Sequence, residues 1–222
     1  MLRPENVITK LYVEADGARI KIEVTPVLRG CVFEHITMSV SPAVEETLGF
    51  AEIQIVSFAD LYAGKLVAAL DRQHPRDLFD ARLLLTNEGI TDDIRGAFVI
   101  YVVSNNRPIS EILAPSRLDI EQEFSRGFMG MTEQPVRLEQ LLDTREQLID
   151  TLVHIMPAEH KRFLTTFKEG KPDWKLLGVP NGEMLPAVQW RLQNLARMDE
   201  QKRTALTNKL REVLNIEELR EA

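Results

Sequence analysis

Residues 57–85 read SFADLYAGKLVAALDRQHPRDLFDARLLL, and they predict two helices meeting at a short turn. Between Leu61 and Leu70 only Gly64 and Lys65 interrupt an apolar run. Such a composition predicts a helix buried nearly all round, in which a lysine needs either a route to solvent or a polar cleft. Phe58, Leu61, Tyr62 and Ala69 share a face with Lys65 by the i, i+3, i+4 rule. Both a snorkelling side chain and a functional ammonium fit that position.

The second helix starts at His74-Pro75, where a proline near the first helical position loses nothing by lacking its N–H. Asp77 falls in the first turn, where the helix dipole favours a carboxylate and a free N–H can be capped, so a structural and a functional reading both stand. Asp80 comes one turn later among Leu78, Phe79, Leu83, Leu84 and Leu85, and capping does not account for it. Arg72 and Arg76 flank the turn, and a local ion network of Arg76, Asp77 and Asp80 is the structural alternative. In either case a lysine, two arginines and two aspartates converge where two apolar helices meet. Convergence of that kind makes a candidate site for a phosphate or a metal–phosphate complex.

The run V-S-F-x-D-L-x-A-x-K-L-x-A-x-x-x-R-x-x-x-R-D-x-x-D is formed by Val56, Ser57, Phe58, Asp60, Leu61, Ala63, Lys65, Leu66, Ala68, Arg72, Arg76, Asp77 and Asp80. It closely resembles the nucleotidyltransferase-like toxins of the AbiEii/AbiGii abortive-infection family, and the likeness extends loosely through the helical region that follows. The resemblance implies an α+β fold: a polymerase-β-like nucleotidyltransferase sheet with packed helices, then an all-helical domain, divided as residues 1–90 and 91–222. It implies that Lys65, Asp77 and Asp80 belong to the active-site cleft, that Lys65, Arg72 and Arg76 bind the nucleotide phosphates, and that Glu23, in the strand-like I-K-I-E-V, supplies a carboxylate to the metal. The implied cofactor is Mg2+, the implied donor an NTP, and the acceptor in some relatives is tRNA.

The chain departs from this family at its beginning. Members carry a Gly-Gly or Gly-Ser turn followed by a D-x-D pair that holds the catalytic metals, and the first 60 residues contain neither. Nucleotidyl transfer needs metal ions to activate the attacking oxygen and neutralise the triphosphate, and lysine or arginine cannot replace the carboxylates that hold them. Glu23 alone does not define two magnesium positions. The chain starts where the third acidic strand of the family begins, so an N-terminally truncated sheet is expected. Two functions follow. One is a Mg-dependent nucleotidyltransferase toxin, completed by a segment upstream of Met1. The other is a non-catalytic remnant that acts as a binding or oligomerising module. An incomplete sheet leaves an unpaired edge on the 7–25 hairpin, which predicts a homodimer or a compensating rearrangement of the N-terminus.

The remaining sequence is that of an ordinary globule: 222 residues, 44% hydrophobic, 27% charged, with a formal net charge of −7. That charge gives no general attraction to polyanions, so a nucleic-acid contact must come from a local patch. A single cysteine, Cys31, excludes an internal disulfide framework and a cysteine-rich zinc site. No N-terminal run resembles a signal peptide, no segment approaches the ~20 apolar residues of a membrane span, and the cytoplasm is the expected compartment. Neither a nucleophile elbow nor a Gly-rich phosphate loop nor H-E-x-x-H occurs.

Towards the N-terminus, residues 6–25 predict a β-hairpin turning at Asp16-Gly17, with Val7, Leu11 and Val13 on one arm and Ile20, Ile22 and Val24 on the other. Segments 31–40 and 51–56 are expected to complete a small mixed sheet, punctuated by Pro26, Gly30 and Pro42, with His35 structural or at the surface. Towards the C-terminus, Thr91 is expected to cap a helix reaching about Val103, with Ile94, Ala97, Phe98, Tyr101 and Val102 on its apolar side. A looser segment follows, whose Phe124, Phe128, Met129 and Met131 are expected to pack. Further helices are predicted over Leu138 to about Ile155, from Pro157 to about Gly170, and at about 184–197 and 199–213. The last is rich in Lys202, Arg203, Lys209 and Arg211, which suit either a solvated face or an RNA backbone.

Overall fold

The computed structural model describes residues 10–23 and 29–216. Its first element is the hairpin that the sequence predicts: β1 (Lys10–Ala15) pairs antiparallel with β2 (Ala18–Glu23). Asp16 and Gly17 both take positive φ (49° and 77°), the signature of a two-residue type I′ turn. The register sets Leu11 opposite Ile22 and Val13 opposite Ile20, so one face of the hairpin is apolar. Lys10, Tyr12, Glu14, Arg19 and Lys21 alternate onto the other face. Val7, Val24 and Pro26 lie outside the described residues, as does the side chain of Glu23.

The expected single mixed sheet is not what forms. β3 (Ile36–Ser39) pairs antiparallel with β4 (Glu52–Ile55), and this second ladder is separate from the first. The strands are shorter than expected, and Pro42 starts a helix, α1 (Pro42–Leu48), where a breaker alone was foreseen. In the second ladder Ile36, Met38, Ile53 and Ile55 share a face, and Leu48 and Phe50 lie nearby in sequence. Apolar side chains on both ladders stay exposed: Ile20 is 60% accessible and Ile53 61%.

The core begins at Val32 and is otherwise built by helices. α2 (Phe58–Asp71) is started by Ser57, whose Oγ accepts the Asp60 N–H. α3 (Pro75–Asn87) is started by His74, whose Nδ1 accepts the Arg76 N–H at 3.2 Å. α4 (Asp92–Ser104) is capped by Thr91 as expected, and is buried nearly all round: Gly96, Val99, Ile100 and Val103 are enclosed as well as the predicted face. α2 crosses α4 where Gly64 meets the Tyr101 ring.

After α4 come two short helices, α5 (Ile109–Leu113) and α6 (Glu121–Gly127). Phe124 and Phe128 are buried, with Phe128 5.5 Å from the Phe79 ring, whereas Met129 and Met131 are exposed, because the turn after Phe128 carries them away from the core. α7 (Leu138–Ile149) continues into a π-helical turn over Asp150–His154. α8 (Ala158–Lys168), α9 (Pro186–Ala196) and α10 (Glu200–Val213) complete the bundle within about two residues of expectation at each end. The connector between α8 and α9 is packed: Trp174 lies 5.1 Å from Phe163, and Val179 sits against Gly96. The molecule is α+β, mostly helical, and no helix among the described residues is long and apolar enough to cross a membrane.

Candidate active site

The α2–α3 corner consists of Arg72, Gln73 and His74. Gln73 has φ of 51° yet is 1% exposed. Its side chain accounts for that otherwise unfavourable conformation: Nε2 donates to Ser116 O at 2.7 Å, and Oε1 accepts from Leu118 N (3.0 Å) and from Arg145 Nη1 (3.1 Å). Arg145, buried on α7, also donates to Leu118 O at 2.8 Å. This network pins the corner to α7 and the 116–118 loop, and so fixes the angle at which α2 and α3 diverge.

Across that angle Lys65 and Asp80 meet. Lys65 Nζ donates to Asp80 Oδ2 at 2.5 Å, and each side chain is 33% exposed. The burial expected all round α2 is therefore incomplete: Leu61 and Arg72 join Lys65 on an open stripe, while Ala69 points fully inward. The reason is geometric. α4, α3, α5 and α7 all pack against α2, and the line of Leu61, Lys65 and Arg72 is left at the rim of that packing. One turn away, Arg72 grips Asp77 in bidentate fashion, Nε to Oδ2 at 2.6 Å and Nη2 to Oδ1 at 2.8 Å. The Asp77 carboxylate is nearly buried and the Arg72 side chain is exposed; that bond raises the guanidinium pKa above its ordinary value.

Arg76 does not join them. Its Nη2 donates to Gly127 O at 3.1 Å, so the expected Arg76–Asp77–Asp80 network is replaced by two separate pairs, Lys65–Asp80 and Arg72–Asp77. Arg76 precedes Asp77 on α3, and the two side chains leave the helix about 100° apart. Thus Lys65, Arg72, Asp77 and Asp80 come together at the corner, Arg76 is turned towards the end of α6, and Glu23 belongs to the first hairpin by its backbone alone.

The sequence reading did not single out Asp60. It is 1% exposed and accepts four hydrogen bonds, two on each oxygen. Val32 N (2.8 Å) and Tyr101 OH (3.1 Å) serve Oδ1, and Phe33 N (3.0 Å) and Ser57 Oγ (2.8 Å) serve Oδ2. Burial, with the Asp60 carboxylate second, pushes the Tyr101 hydroxyl well above its ordinary pKa. Asp60 thereby ties the segment before β3 and the last turn of α4 to the start of α2, five residues from Lys65. The S-x-x-D spacing from Ser57 was the available signal. For Arg145 it was the i, i+4 spacing from buried Leu141; for Gln73 there was none.

A model of the AbiEii nucleotidyl transferase toxins of type IV toxin–antitoxin systems matches residues 5–194. The chain belongs to the AbiEii family. No curated protein and no solved structure matches it. For a nucleotidyl transferase family the natural cofactor is a divalent metal, and the acids of the corner do not suit one. Asp80 is occupied by an ammonium and Asp77 by a guanidinium, and no cluster of three or more His, Cys, Asp or Glu able to hold a metal occurs among the described residues. What the corner offers instead is cation chemistry. Among the described residues, Asp80 holds one of the three ammonium donors of Lys65 and two remain, and the grip of Asp77 on Arg72 leaves Nη1 uncommitted.

Proposed function

We propose that this AbiEii-family chain carries the phosphate-gripping side of a cytoplasmic nucleotidyl transferase, which moves a nucleotide from an NTP to an RNA acceptor such as tRNA. The observation that carries the reading is the Lys65–Asp80 pair, one-third exposed at a corner pinned by Gln73 and Arg145. Lys65 contacts the triphosphate, with Asp80 holding the ammonium in position. Arg72, oriented by Asp77, supplies a second cation, while Arg76, bonded to Gly127 O, stands apart from them. Residues 1–90 then form the transferase-like half and 91–222 the helical half that supports it. The resemblance implies Mg2+ and assigns Glu23 to it; the acids of the corner do not make that cage, and Lys65 and Arg72 act in phosphate binding alone.

Transfer of labelled NTP to bulk tRNA in the presence of Mg2+ tests this reading. Lys65→Ala should reduce transfer by about 10²-fold or more, as the loss of one charge-stabilising donor does, with the melting temperature nearly unchanged. Stability loss with transfer spared would make Lys65 structural. A second reading, a binding or oligomerising module without transfer activity, is favoured by the commitment of both aspartates to cations and by the exposed apolar faces of the two ladders. In that case the faces mediate a homodimer.

A further inference from the structure

Away from the α2–α3 corner, Lys168 ends α8 and is 5% exposed. Among the described residues it has no hydrogen-bond or ion-pair partner, yet its ammonium is not one of the fully sealed polar atoms, so the tip reaches solvent. The carbonyls that end α8 take its own capping N–H groups and do not bond the ammonium. Thr165 O takes Glu169 N, Thr166 O takes Lys171 N, and Phe167 O takes Gly170 N, which closes the helix on itself. The adjacent acid, Glu169, is held by Arg211 at 2.7 Å.

The charges that act on Lys168 are those of Arg191 and Lys202, both positive; together with burial, the larger cause, they lower its pKa. Arg191, half-buried on α9, reaches the end of α4 through two long bonds, Nε to Val103 O at 3.3 Å and Nη2 to Arg107 O at 3.5 Å. Lys202 stands in the first turn of α10, which packs on α8. The end of α8 lies beside the start of α10, with Arg203 Nη1 4.0 Å from where a Cβ of Gly170 would stand, and α4 packs on α8, so Arg191 and Lys202 both act on Lys168 from the elements around it. A buried lysine with cationic neighbours is costly for a purely structural arrangement and is what an anion site looks like without its anion. Arg107 links this cluster to the α2–α3 corner, since its guanidinium binds Asp71, the last residue of α2.

We propose that Lys168, Arg191 and Lys202 form a phosphate-binding site, separate from the Lys65 corner, that holds one phosphate group of a free nucleotide or of a polynucleotide backbone. Melting temperatures in sodium phosphate and in sodium chloride of equal ionic strength test it. Phosphate should raise the melting temperature of the native chain by several degrees. That rise should vanish in Lys168→Met, which keeps the stem's volume, and shrink in Lys202→Met, at an exposed position. Without phosphate, Lys168→Met should melt no lower than the native chain, because it removes a buried charge that lacks a partner. No phosphate effect on the native chain, or an equal effect in Lys168→Met, overturns the proposal. Fluorescence titration with a short single-stranded RNA then separates the sources. A roughly tenfold weaker affinity in Lys168→Met, with the slope of log K against log salt reduced by about 0.7 for one lost contact, identifies a backbone phosphate. Unchanged RNA affinity beside a Lys168-dependent phosphate effect identifies a free phosphate or nucleotide.

Discussion

Tyr101→Phe removes one of four donors from the buried Asp60 carboxylate and alters little else. It should cost about 1–3 kcal/mol, the range for a buried polar group deprived of a partner, read as a lower urea midpoint. His160 acts through pH. Its Nδ1 is sealed without a partner among the described residues, and burial, reinforced by the positive charge of Arg95, holds its pKa below the ordinary 6.5. The unfolded chain therefore binds a proton near pH 6.5 that the folded chain resists, and stability falls as pH drops from there towards the lowered value. His160→Leu should flatten this loss between pH 7 and 5, measured as urea midpoints across that interval. Glu146 is held below its ordinary 4.5 chiefly by the Arg117 hydrogen bond, so its contribution is lost only at pH below 4.5 and the two windows separate. None of this could be read from the one-dimensional sequence at His160, whose surroundings come from other elements.

The central helix, α4, makes a prediction of its own through its glycine. A Cβ at Gly96 would lie 2.4 Å from Val179 Cγ1, so Gly96→Ala forces the connector off α4. The expected cost is about 1–3 kcal/mol for overpacking. A Cβ at Gly64 meets Tyr101 at an ordinary 3.5 Å, and Gly64→Ala should instead be neutral or stabilising by up to about 1 kcal/mol through helix propensity. Thermal melts of the two variants should move in opposite directions or differ by several degrees. At this scale several helices were legible because they carry their own marks: His74-Pro75 and Thr91 start α3 and α4, and apolar residues recur at helical spacing along α7. The first hairpin was legible through Asp16-Gly17. α1 was not, since Pro42 reads equally as a break and as a first helical residue.

For the whole molecule the notable feature is the contrast between a helical core that is enclosed and two ladders that carry apolar faces into solvent. Faces of this kind tend to be covered by a partner. Sedimentation velocity at high micromolar concentration should show a dimer, and replacing Val13 and Ile20 by threonine, which keeps strand propensity, should return it to monomer. A clean monomer for the native chain counts against the dimer.

The sequence by itself determined the family, the helix starts, the first turn and the residue types that converge at the α2–α3 corner, because these depend on local spacing and on residues close in the chain. Tertiary structure alone decided which acid pairs with which base. Lys65 met Asp80, Arg72 took Asp77, and Arg76 left for Gly127, because the α2–α3 angle is fixed by Gln73 reaching Ser116, Leu118 and Arg145, up to 72 residues away. The burial of Asp60 and Lys168 was decided in the same way, since the enclosure of a charged side chain is set by the elements packed over it and not by its neighbours in sequence.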